Sequence, residues 1–180
     1  MTRLFLVLTA LLCTAATPVN SDVCIRVLLR ALSFDRNLEQ RVGHEAVLMV
    51  AYNSRDAHSM EALDVSRAER ARLADTRLGG AVIRIVEVDL RAMDDWSLVV
   101  IEHDPDAVIL LPGTQPWTES IAWMPDARYI TLGQGWDAEG MAISVAIGAD
   151  DRPNITVDRD LAAARGMDLS SQLLRLAVLR

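Results

Sequence analysis

Lysine is missing from this chain: all eighteen basic residues are arginine, a bias of codon usage rather than of mechanism. Positive charge is also in the minority, since twenty-five Asp and Glu leave a formal net charge of −7. A phosphate backbone needs a basic face, so nucleic acid is excluded as a partner. Cysteine is almost absent. Cys13 falls in the leading apolar stretch, which leaves Cys24 alone in the body of the chain and no internal disulfide to be made there; Cys24 reads as a small buried hydrophobe. There is no linker, internal repeat or low-complexity run. The three histidines, His44, His58 and His103, are scattered, with no second His or Cys at i+3 or i+4, so no metal site is expected.

The groups an enzyme needs are missing in the same way. No nucleophile stands with a base, and Gly133-Gln134-Gly135 followed by Gly140 misplaces the third glycine of a dinucleotide loop, which makes it a turn. Asp94-Asp95 and Asp150-Asp151 stand at cap or turn positions, where Asp is expected anyway. The expectation is a protein without catalytic activity and without a cofactor.

What is present is a core. With 180 residues, 51% of them hydrophobic, the chain has the material for one packed domain. Residues 1–20 read as a cleaved secretory signal, with Arg3 as the positive start, Leu4 to Leu12 as the apolar run and Thr14, Ala15 and Ala16 as the small residues before cleavage. The run is too short for a comfortable permanent span. Leu12 stands where lipid attachment at Cys13 would want a small residue. A single exported domain is therefore expected over 21–180.

Ile25, Leu28, Leu29 and Leu32 recur at helical spacing and predict an amphipathic first helix. Ala46 to Tyr52 is apolar without alternation, the pattern of a strand covered on both faces, as parallel strands are. A helix is predicted from about His58 to Leu78, ended by Gly79-Gly80. Strands follow at Ala81 to Val88, Ala107 to Leu111 and Tyr129 to Leu132. Ser97 to His103 is apolar enough for a strand, but Asp94 and Asp95 ahead of it look like caps, and it is assigned to a helix. Gln115 to Met124 is another helix. Met141 to Ile147 alternates and predicts a strand with a less buried second face, paired through an Asp150–Pro153 turn with Ile155 to Val157. A short helix over Asp158 to Arg165 stops at Gly166, and a closing helix from about Ser170 brings Leu169, Leu173, Leu174, Ala177 and Val178 onto the core. The fold class is α/β: a mostly parallel sheet flanked by helices, an antiparallel hairpin at its edge and a C-terminal docking helix.

In such a sheet ligands collect beyond the carboxyl ends of the strands. Those ends lead into Asn53, Ser54 and Arg55, into Thr114, Gln115 and Trp117, and into Gln134 and Trp136. On a shared rim these residues would set two indoles and several polar groups around one cleft, suited to a small molecule or to a loop of a partner. Arg36 and Arg41 read as surface ion-pairing residues beside Asp35 and Glu45, contributing little.

The segments AAARGMDLSSQLLRLA (162–177) and IRVLLRALSFDRNLEQRVGHEAVLMVAY (25–52) resemble the YfiR family of small secreted bacterial proteins. The resemblance implies a periplasmic regulator that restrains a membrane signalling enzyme, a diguanylate cyclase or a kinase, by binding its periplasmic sensor domain, with cyclic diguanylate signalling and biofilm as the output. It also implies a homodimer, which no spacing in the chain specifies. The redox role of paired cysteines in that family does not carry over to a chain left with Cys24. The alternative is an exported small-ligand receptor that signals to a sensor kinase or a transporter.

Overall fold

A computed structural model describes residues 21–72, 76–124, 127–137 and 139–180. The signal segment expected over 1–20 lies outside the described residues. In chain order the elements are α1 (Ser21–Leu32), α2 (Leu38–Val42), β1 (Glu45–Tyr52), α3 (Ala57–Arg72), β2 (Arg77–Leu78), β3 (Ala81–Asp89), α4 (Trp96–His103), β4 (Ala107–Leu110), α5 (Gln115–Ala122), β5 (Ile130–Gln134), β6 (Ile143–Ile147), β7 (Pro153–Val157), α6 (Arg159–Ala164), α7 (Ser171–Leu176) and β8 (Val178–Leu179). They build one sheet in the order β2-β3-β1-β4-β5-β6-β7-β8. The run from β3 to β6 is parallel throughout, while β2–β3 and β6–β7 are antiparallel hairpins.

The apolar run of β1 is explained by its place, between β3 and β4 with a helical layer on each face. Ala46, Leu48 and Val50 face the larger core, which contains Leu28 and Leu32 of α1 and Leu63 of α3. Met49 and Ala51 face a second core with Trp96, Ile121 and Tyr129. Cys24 is fully buried in the larger core.

The segment of mixed propensity does become a helix, α4. Asp95 caps it by accepting from the Ser97 N–H at 2.8 Å, and Asp104 closes it in the left-handed region. The polypeptide there must cross a face of the sheet from β3 to the parallel β4, a path on which a strand would find no neighbour.

Four expectations are corrected. α3 ends at Arg72 rather than Leu78, and Gly79-Gly80 turns the β2–β3 hairpin; both glycines have positive φ, 57° and 84°, as a two-residue primed turn requires. The second face of β6 is not less buried: Ala142 and Ser144 are covered, and the Ser144 hydroxyl donates to Asp137 of the β5–β6 loop at 2.6 Å. The closing helix α7 does dock through the buried Leu173, capped by Ser170, yet it stops at Leu176. Val178 then leaves the expected apolar face to pair along β7 as part of the edge strand β8. Asp35 is no surface partner either: its buried carboxylate accepts from the backbone N–H groups of Asn37 at 3.0 Å and Asp168 at 2.9 Å, pinning the C-terminal segment to the loop before α2.

Candidate functional site

The carboxyl ends of β1, β4 and β5 open on one side of the molecule, and two of their loops are sewn together. Asn53 donates through Nδ2 to the Gly113 carbonyl at 3.0 Å and receives the Arg55 N–H on Oδ1 at 3.1 Å. Gly113 has a φ of 83°, and a Cβ there would come within 2.5 Å of the Asp56 side chain, so this crossing of loops needs glycine. Trp136 donates through Nε1 to the Leu110 carbonyl at 3.1 Å, which fixes its ring against the end of β4.

The eight rim residues separate. Gln115 and Trp136 line one cleft of about 390 Å³ together with Thr118, Glu119, Trp123 and Glu139. Trp117 lines a second groove beside it, shared with Met93, Ser120, Trp123 and Met124, and Trp123 forms the ridge between the two. The guanidinium of Arg91 lies over the Trp117 ring, 5.9 Å from its centroid. Thr114 and Gln134 are interior: the Thr114 hydroxyl donates to the Leu111 carbonyl at 2.7 Å, and the Gln134 amide lies 3.3 Å from Ser66 Oγ on α3. Asn53 is committed to holding the loops. Ser54 and Arg55 are exposed but line neither hollow.

Four residues of the cleft, Thr118, Glu119, Trp123 and Glu139, escaped the sequence reading, and the signal for two of them is plain in retrospect. Gln115, Glu119 and Trp123 recur at intervals of four, which places them on one face of α5. Nearby, α4 leaves Leu98 and Ile101 63% and 75% exposed, next to the half-buried Val99 and Val100. Glu119 and Glu139 line the cleft, and Asp94, Asp95 and Glu119 the groove beside it. Beneath it Tyr129 accepts from Trp96 Nε1 at 2.9 Å and donates to the Ile121 carbonyl at 2.5 Å, joining α4, α5 and β5; burial pushes its phenol above the usual range.

A second polar hollow of about 450 Å³ lies at the opposite, amino ends of the strands, lined by Arg41, Asp104, Asp106, Arg128 and Arg165 among others. Arg41 and Arg165 are engaged internally. Arg41 donates to the carbonyls of Arg165 and Arg128 at 3.2 and 3.4 Å and pairs with the buried Asp35 at 3.6 Å. Arg165 donates to the carbonyls of Ala127 and Ala122. Burial lowers the Arg41 guanidinium, against the opposing pull of Asp35 and Asp106. Burial likewise raises the Asp106 carboxyl, although the Val47 N–H and Arg41 act against it. Among the described residues no group of three or more His, Cys, Asp and Glu is placed to hold a metal ion, and no helix is long and apolar enough to cross a membrane.

No family model matches the chain, and no curated protein does. Solved structures do. The ABC domain from Streptococcus pneumonia, in complex with L-Trp, is similar with a TM-score of 0.57 at 12% identity, over 88% of this chain and 59% of that one. A conserved domain protein from Vibrio cholerae O1 biovar eltor is similar with a TM-score of 0.59 at 13% identity, over 89% and 60%. The chain thus spans about three fifths of the length of each. At these identities the likeness is one of fold.

Proposed function

We propose that this protein is a non-enzymatic regulatory binding protein of the periplasm, resembling the YfiR family, that restrains a membrane-bound signalling enzyme such as a diguanylate cyclase. It works by contact through the rim at the carboxyl ends of the strands. The observation that carries this is an apolar cluster at the rim, the exposed Trp123 with the partly exposed Trp117, Trp136, Met93 and Met124, which lines two open hollows together with Asp94, Asp95, Glu119 and Glu139. Large exposed hydrophobics in a cluster mark an interaction site more often than a solvated face, and aromatic residues dominate the energetics of such contacts. Deleting the gene is expected to raise intracellular cyclic diguanylate, and the wild-type gene to restore it. Unchanged levels in the deletion strain would overturn the proposal.

A second reading is an exported small-ligand receptor that passes its signal to a sensor kinase or a transporter. It is favoured by the cleft of about 390 Å³, within the range of about 300–1,000 Å³ usual for small-molecule sites, and by the shared fold with a domain held in complex with L-Trp. Saturable binding of one metabolite, with cyclic diguanylate unaffected by deletion, would select it.

A further inference from the structure

The cleft between α5 and the β5–β6 loop has an unusual balance of groups. Two indoles and two carboxylates line it, with Gln115 and Thr118, and no basic residue does. Trp136 is held from behind by its bond to the Leu110 carbonyl, and Trp123 on the other wall is 55% exposed. The Glu119 and Glu139 carboxylates have neither a hydrogen bond nor an ion pair among the described residues. Glu45, Glu69 and Glu87 are each matched with an arginine. On the same rim Trp117 already has Arg91 over its ring, so the protein uses one indole here to hold a cation of its own.

An indole face attracts positive charge through its quadrupole, and a carboxylate beside it adds to that attraction while repelling anions. We propose that this cleft binds an organic cation, a guanidinium or alkylated ammonium group seated between Trp123 and Trp136 with its charge toward Glu119 and Glu139. The proposal rests on the reading of this rim as a binding surface, and adds to it the sign and class of the group recognised. Such a group arrives either on a free small molecule or at the tip of an arginine side chain of the partner; the chemistry at the cleft is the same.

The test is calorimetric titration, supported by tryptophan fluorescence, of the folded chain with choline, with L-argininamide and with a glycine-rich peptide carrying one central arginine. Indole-3-acetate serves as the anionic control. Saturable binding of a cationic probe is expected, weakened about tenfold by Trp123→Ala and several-fold by the Glu119→Gln/Glu139→Gln pair, and reduced by added salt. Binding of the free probes assigns the site to a small molecule, and binding of the peptide alone assigns it to a partner side chain. Unfolding midpoints of the variants control for folding, which an exposed Trp123 should leave intact. Absence of saturable binding by any cation, or equal binding by Trp123→Ala, would overturn the proposal. Preference for indole-3-acetate, lost in Trp123→Ala, would also overturn it while leaving the rim as a binding surface. If Trp123→Ala is silent toward every probe and in regulation as well, the proposal and the reading of the rim fall together.

Discussion

The two ends of the parallel strands each carry a polar hollow of similar size, and they differ in how their polar groups are used. At the amino ends Arg41 and Arg165 donate to backbone carbonyls, and the Asp35 carboxylate accepts from the backbone N–H groups of Asn37 and Asp168. That hollow is a joint between the first and last segments of the chain. At the carboxyl ends Glu119 and Glu139 line a cleft without partners among the described residues, beneath a tryptophan 55% exposed. The joint is bonded without being saturated, since Asp35 Oδ2 and Arg165 Nε are buried with no hydrogen bond; buried polar groups are costly unless bonded, so these are held in place by the fold, whereas the exposed carboxylates of the cleft stay accessible to a ligand.

The sharpest way to break this contrast is at the joint. Asp35→Ala removes a buried carboxylate that receives two backbone N–H groups and faces Arg41, leaving donors without partners and a cation short of its counter-charge. A loss of about 3 kcal/mol is expected in denaturant unfolding; a loss below about 1 kcal/mol, the usual worth of a surface pair, would show the joint to be no joint. Tyr129→Phe strands Trp96 Nε1 and the Ile121 carbonyl inside the core below the rim, and about 1–2 kcal/mol should go with it.

Asp106→Asn tests the joint by pH. Burial raises this carboxyl in the folded chain, so folding favours its protonated form. The stability it contributes is complete below the unfolded value, about pH 4, and is lost as the pH rises through the folded value. The variant keeps an oxygen for the Val47 N–H and carries no charge, so its stability should vary less with pH over that window; a profile identical to wild type would refute the assignment. The smallest effect on stability is expected at the rim itself. Trp123→Ala should change stability by no more than about 0.5 kcal/mol while weakening binding about tenfold, and a large loss of stability would make Trp123 a packing residue.

Much of the fold was legible because burial on both faces writes an apolar run. β1, β4 and β5 announce themselves in this way, β3 is apolar although most of it is only half-buried, and α4 could be read from Asp95 against its local propensity. Gly79-Gly80 misled because the same pair can end a helix or turn a hairpin, and the choice depends on β3 being free to pair on that side. The covered second face of β6 was missed because the β5–β6 loop lies over it through Asp137, a contact that periodicity does not carry.

The rim was chosen by a general rule about parallel sheets, which does not say which of its residues face outward. Thr114 and Gln134 turned inward to satisfy local bonds with Leu111 and Ser66. Trp123 and Glu119 were missed because the helix over 115–124 was read as an element rather than as a face. Asp35 looked like one of many surface acids; only its bond to Asp168, 133 residues away in sequence, reveals its part in the joint.

The most direct measurement is site-specific photo-crosslinking in the cells that make this protein, with a photoreactive phenylalanine analogue placed at Trp123 in one strain and at the exposed Arg128, beside the other hollow, in a second. A discrete covalent adduct to a membrane protein from position 123, with none from position 128, is the expected result. An adduct from position 128 alone would put the working surface at the wrong end of the strands and contradict the central claim.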